Sequence, residues 1–150
     1  EANINQDPPA ADKVLRSKLP LTMVGLDVTL RTLLTKKETQ EWREIGTTSA
    51  TKYADIVDYY INAYKITSPH LHGCGLHDPL AVAAAVDPSL LQTIYLNMKV
   101  DTEGAYAGRT IGDEKRLNEP ATTTQVAVNV DVPRFLDMFM TKLSAFFKEH

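Results

Sequence analysis

The chain has 150 residues, is 43% hydrophobic and carries 16 basic against 19 acidic side chains for a net charge of -3. That length supports one domain with a core of its own, while the charge balance and the lack of any Lys/Arg run argue against nucleic acid, and no apolar stretch approaches the length of a membrane-spanning helix. One cysteine excludes an internal disulfide framework and fits a reducing compartment, the cytoplasm.

Glu1 is neither an initiator residue nor part of a signal-peptide pattern, so a removed upstream segment is expected. Asp7-Pro8 pairs an N-cap with proline at the first helical position, and Val14, Leu15 and Leu19 give that helix an apolar side before Pro20 closes it. Leu21 to Thr29 is a short run of strand formers and reads as a parallel strand covered on both faces. Thr35-Lys36-Lys37-Glu38 is a capping box opening a short helix through Trp42 and Ile45, which Gly46 ends. Tyr53, Ile56, Val57, Tyr60, Ile61 and Tyr64 recur at helical spacing against a polar side of Lys52, Asp55, Asp58, Asn62 and Lys65.

Asp78-Pro79 then starts an alanine-rich helix suited to close packing on a sheet, and Asp87-Pro88 ends or re-caps it. From Thr93 to Asp101, Ile94, Leu96, Met98 and Val100 alternate with polar neighbours, the period of a half-buried strand. Gly104, Gly108 and Gly112 punctuate a hairpin region around Arg109-Thr110-Ile111. Val126, Val128 and Val130 form another alternating strand, and Asp131 caps a last helix carrying Val132, Phe135, Leu136, Phe139, Leu143 and Phe146 on one face. Interleaved helices and strands followed by antiparallel-looking strands predict an α/β fold with a mixed, mainly parallel sheet flanked by helices. Ligands of such folds bind outside the carboxyl ends of the strands, which makes the loops after Val28 and around His77 the places to look.

The densest chemistry lies in His70-Leu71-His72-Gly73-Cys74-Gly75-Leu76-His77-Asp78, which holds three of the chain's four histidines and its cysteine. Imidazole ordinarily titrates near neutrality, so proton transfer or metal chemistry is expected there. His70, His72, Cys74 and His77 are all competent zinc ligands, but packing them into eight residues with two glycines departs from the separated pairs that structural zinc joins. Nothing nearby indicates a depressed thiol pKa that would make Cys74 a nucleophile. Asp78 before Pro79 reads first as an N-cap, a role compatible with offering its second oxygen to a hard cation. Tyr60 and Tyr64, one turn apart, read first as core residues, yet they close the helix just before the histidine loop, within reach of a ligand.

Together these segments resemble the inosine-uridine preferring nucleoside hydrolases, which cleave the N-glycosidic bond of ribonucleosides to ribose and free base. Leu19 to Thr29 is similar to the family's central strand and following turn, His77-Asp78-Pro79-Leu80-Ala81-Val82-Ala83 to its late active-site motif, and Glu1-Ala2-Asn3 to its Glu-x-Asn element. The resemblance implies a nucleoside hydrolase-like fold, with residues 1–150 forming the C-terminal half of a single domain. It implies Asp78 as a ligand of a catalytic Ca2+ ion, His77 as the residue that helps protonate the departing base, and Glu1 and Asn3 as binders of ribose hydroxyls. Tyr60 and Tyr64 resemble the mobile tyrosines that cover the base, while His70, His72 and Cys74 inherit no role.

The chemistry agrees with these assignments, because breaking a ribosyl C–N bond builds positive charge on the sugar and negative charge on the base. The family's Asp-rich motif, which supplies most calcium ligands and the general base, has no counterpart here, and one aspartate does not make a site of six to eight oxygens. The implied partners are therefore the N-terminal half of the same enzyme, a ribonucleoside such as inosine or uridine, and further copies in a dimer or tetramer. The alternative is a catalytically silent fragment or nucleoside-binding remnant serving as a structural module.

Overall fold

The structure, a computed structural model, describes residues 2–119 and 123–150. In chain order it runs α1 (Ala2–Gln6), α2 (Pro8–Leu15), β1 (Leu21–Met23), α3 (Leu26–Thr29), β2 (Leu33–Leu34), α4 (Lys36–Ile45), α5 (Thr48–Thr67), β3 (Cys74–Gly75) and α6 (His77–Val86). A 3-10 turn (Pro88–Leu90) leads to β4 (Leu91–Tyr95), β5 (Met98–Val100), a second such turn (Gly104–Tyr106), β6 (Thr110–Gly112), β7 (Thr124–Val130) and α7 (Val132–Glu149). These elements form two compact units, one of residues 1–26 and 92–129 and the other of residues 27–91 and 130–150. Among the described residues no helix is long and apolar enough to cross a membrane.

In the first unit β7 lies between β1 and β4, and Leu21, Thr22 and Met23 pair in parallel with Thr124, Gln125 and Val126. β5 and β6 form an antiparallel hairpin that matches Met98 with Gly112 and Val100 with Thr110. Leu15, Met98 and Val100 are its buried centre, with Ile4, Leu21, Leu96 and Val126 packed around them. Asp7 caps α2 by accepting the Ala10 N–H at 3.0 Å, but the helix stops at Leu15, well before Pro20. Asp12 turns instead to the hairpin and accepts the Val100 N–H at 2.9 Å.

The expected strand from Leu21 to Thr29 is only partly realised. β1 covers Leu21–Met23 with Thr22 exposed and its neighbours half-buried, and residues 26–29 form a helical turn that buries Val28 and Thr29. Burial of those two side chains outweighs their strand propensity. The single strand expected from Thr93 to Asp101 is likewise two, β4 and β5, because Asn97 serves the loop that follows β6. Its side chain donates to the Arg116 carbonyl at 2.8 Å and its own carbonyl accepts the Asp113 N–H at 2.8 Å.

In the second unit the capping box forms as the sequence predicts. Thr35 accepts the Lys37 N–H, the Glu38 carboxylate accepts the Thr35 N–H at 2.8 Å, and Gly46 ends α4 at a φ of 82°. Gly is the residue that adopts this left-handed geometry without strain. Trp42 packs edge-on against Phe147 at 5.5 Å and lies 6.2 Å from Phe139, which ties α4 to α7. Asp131 caps α7 through the Arg134 N–H, and Phe147 rather than Phe146 is buried, the latter being 46% exposed. On α5 the buried positions are Ala50, Ala54 and Ile61, so the tyrosine stripe lies at the edge of the core: Tyr53 and Tyr60 are each 46% exposed.

Candidate active site

The two-residue strands β2 and β3, which periodicity does not reveal, position the chemistry of the second unit. Leu33 pairs with Gly75 and Leu34 with Cys74, and the next amide, Leu76 N–H, donates to the Thr32 carbonyl at 2.9 Å. The pairing demands glycine at position 73, where a Cβ would stand 2.4 Å from the Leu34 oxygen. Glycine at 75 serves the ring rather than the pairing, since a Cβ there would lie 2.7 Å from His77 Cε1 and 2.8 Å from Nε2. The missing side chain at Gly75 is thus the space the imidazole occupies.

His77 is the first residue of α6 and is half-buried. Its Nδ1 is 2.6 Å from Thr29 Oγ1, on α3, and its Nε2 is 2.7 Å from the hydroxyl of Tyr64, on α5. Thr29 is only 2% exposed. Tyr64 in turn meets Tyr60 edge-to-face at 5.0 Å. Burial, then the neighbouring Tyr60 hydroxyl, pushes the Tyr64 phenol up to about 12 against the opposing pull of the Gly75 amide, so it stays protonated at neutral pH. Neither tyrosine is the core residue that its place on the stripe suggests.

Asp78 departs from its expected role. The N-cap of α6 is Leu76, which makes no side-chain capping bond, and Asp78 stands inside the first turn. Its carboxylate is exposed and is left available to a partner from solvent. A cavity of about 400 Å3 lined by Trp42, Tyr53, Tyr60, His77, Asp78 and Phe139 opens beside the ring.

His70 and His72 are exposed, whereas Cys74 is buried, and burial pushes its thiol up to about 11, which leaves it an unreactive neutral group at pH 7. Among the described residues no group of three or more His, Cys, Asp or Glu side chains could hold a metal ion. Asp78 fits a calcium site as one oxygen donor, and the described residues do not complete that site.

Asn3 is exposed on α1, in the first unit, and Glu1 lies outside the described residues. The structure therefore gathers Tyr60, His77 and Asp78 around one cavity, joins Tyr64 to them through His77, and adds Thr29 and Gly75, which sequence reasoning did not single out. Thr29 was readable only as the end of a strand, since its partner lies 48 residues further on.

The sequence model describing inosine-uridine preferring nucleoside hydrolases matches residues 1–137. The chain belongs to this family. It is 35% identical over 147 residues to the pyrimidine-specific ribonucleoside hydrolase RihA of Enterobacter sp. (strain 638), covering 97% of this chain and 47% of the relative. Among solved structures, it resembles a purine-preferring ribonucleoside hydrolase from Gardnerella vaginalis with a TM-score of 0.96 and 61% identity, over 100% of this chain and 48% of that one. The plant nucleoside hydrolase PpNRh1 matches with a TM-score of 0.84 and 26% identity, over 97% and 48% of the two chains. The chain thus spans about half the length of these nucleoside hydrolases and has the nucleoside hydrolase-like α/β fold over that span.

Proposed function

We propose that this chain supplies the ribose- and base-side half of an enzyme that hydrolyses the N-glycosidic bond of ribonucleosides, residues 1–150 being the C-terminal half of a single nucleoside hydrolase domain. The observation that carries the reading is His77, held between Thr29 and Tyr64 beside the exposed carboxylate of Asp78. The departing base needs a proton as the C–N bond breaks. Nε2 faces the Tyr64 oxygen at 2.7 Å, so a proton leaving Nε2 of the imidazolium passes to that oxygen as the phenol passes its own to the base, and the neutral ring keeps its other proton on Nδ1 against Thr29. Tyr60 and Tyr64 cover the base, Glu1 and Asn3 bind ribose hydroxyls, and Asp78 gives one carboxylate oxygen to a Ca2+ ion whose remaining ligands come from the preceding half. That ion, when bound, supplies an activated water.

The 61% identity to a purine-preferring enzyme favours inosine over uridine as substrate. We place the assembled enzyme, a homo-oligomer, in the cytoplasm and in nucleoside catabolism and salvage. The deciding experiment follows ribose release from inosine and from uridine by the protein together with its preceding half, with and without a calcium chelator. Turnover that the chelator abolishes and added calcium restores is expected, faster with inosine; no turnover of either nucleoside sinks the reading in favour of a silent structural module.

A further inference from the structure

We propose that Thr29 is a positioning residue for the reaction: its hydroxyl fixes which way round the His77 ring faces and which nitrogen it presents to Tyr64. The proposal rests on the reading of His77 as the proton source. An imidazole turned over about its Cβ–Cγ bond fills nearly the same volume, so shape alone does not choose between the two orientations; hydrogen bonds do. Here Thr29 Oγ1 lies 2.6 Å from Nδ1, and Thr29 is 2% exposed. A flipped ring would set a carbon against a buried hydroxyl and leave that hydroxyl without a partner, which costs more than one hydrogen bond contributes. With Thr29 Oγ1 accepting from Nδ1–H, the second proton of the imidazolium sits on Nε2, facing Tyr64 at 2.7 Å. That is the arrangement from which the proton moves outward.

The threonine is itself fixed, and by the same turn that fixes the backbone before His77. The Thr32 hydroxyl donates to the Thr29 carbonyl at 2.8 Å, the Thr32 N–H donates to it at 3.1 Å, and the Thr32 carbonyl accepts the Leu76 N–H at 2.9 Å. One turn therefore holds the imidazole through a side chain and the start of α6 through the main chain. Gly75 lies under the ring, where a Cβ would be 2.7 Å from Cε1, so the ring can lie against the backbone while Thr29 orients it. Thr29 reaches the chemistry only through His77.

The test replaces the hydroxyl with a methyl group of the same shape, Thr29→Val, and restores it with Thr29→Ser, both in the protein with its preceding half. With inosine, kcat is expected to fall by about tenfold to a hundredfold in Thr29→Val, the range seen when the partner that orients a functional histidine is removed, and to recover in Thr29→Ser. Cleavage of p-nitrophenyl riboside, whose leaving group needs no proton, is expected to stay within about twofold, consistent with a loss of acid catalysis alone. In parallel, nitrogen NMR of 15N-histidine-labelled protein at one fixed pH should show neutral His77 as the Nδ1–H form in the parent and a shift toward the Nε2–H form in Thr29→Val. Undiminished inosine turnover in Thr29→Val, or equal losses on both substrates, overturns the proposal. If the parent protein cleaves neither substrate, the hydrolase reading falls by itself, and the His77 nitrogen pattern decides alone: a change in Thr29→Val upholds the assignment and an unchanged pattern removes it.

Discussion

Two titratable side chains, one in each unit, are each held by a pair of side chains, and the pairs differ in kind. Asp113, 2% exposed, accepts from the Arg16 guanidinium at 2.9 Å and from Arg116 Nε at 2.7 Å. The hydrogen bond from Arg116, joined by the Lys115 amide and the charge of Arg16, holds its carboxyl below the usual carboxylate range, although burial pulls the other way. His77 is held by the hydroxyls of Thr29 and Tyr64. A guanidinium only donates and always carries charge, so it locks its partner in one protonation state. A hydroxyl donates or accepts, so it fixes a ring in place and leaves the proton free to move. The first arrangement belongs to structure and the second to chemistry.

Removing the ring should break this contrast most visibly. His77→Ala is expected to slow inosine cleavage by about 10²- to 10⁴-fold, the range of general acid catalysis, with a much smaller loss on p-nitrophenyl riboside. Steady-state kinetics on both substrates check it, and equal losses would return His77 to a structural role alongside Asp113. The reverse is expected of Asp113→Asn, which should cost about 2 kcal/mol in urea unfolding, below the usual cost of breaking a buried pair because Arg16 stays partly solvated. Since the folded carboxyl titrates below the unfolded one, its contribution is complete above the ordinary aspartate value near ~4 and is lost as pH falls through the lower folded value. The stability gap between parent and variant should accordingly close in acid and stay constant above about pH 5; a gap that grows in acid would contradict the ion-pair account.

What the sequence discloses of this fold depends on how local the cause is. The capping box at Thr35–Glu38, the Asp7 and Asp131 caps and the Gly46 stop are decided within one turn, and all appear where the residues place them. The strand formers from Val24 to Thr29 are misleading because burial of Val28 and Thr29 decides their shape, and burial is not a local property. Leu33–Leu34 and Cys74–Gly75 carry no readable period at two residues each, since their pairing joins segments far apart in the chain. The site divides in the same way. His77, Asp78, Tyr60 and Tyr64 could be named from their motif and spacing, whereas Thr29, whose contact spans 48 residues, could not.

The smallest expected effect concerns aspartates that look alike in the sequence. Asp7-Pro8 and Asp87-Pro88 are caps, Asp7 accepting the Ala10 N–H at 3.0 Å and Asp87 the Ser89 N–H at 3.1 Å. Asp78-Pro79 presents the same dipeptide without the bond, because α6 has already begun at His77. Asp7→Ala should therefore cost about 1 kcal/mol, the usual worth of an N-cap. Asp78→Ala loses only the attraction between a first-turn carboxylate and the helix dipole, a few tenths of a kcal/mol at an exposed position. Thermal or urea unfolding of the two variants side by side checks the order. If Asp78→Ala destabilises as much as Asp7→Ala, its carboxylate is committed to the helix after all and is not available to a cation. A near-silent Asp78→Ala would show that the carboxylate carries no structural duty, as a ligand open to a cation requires.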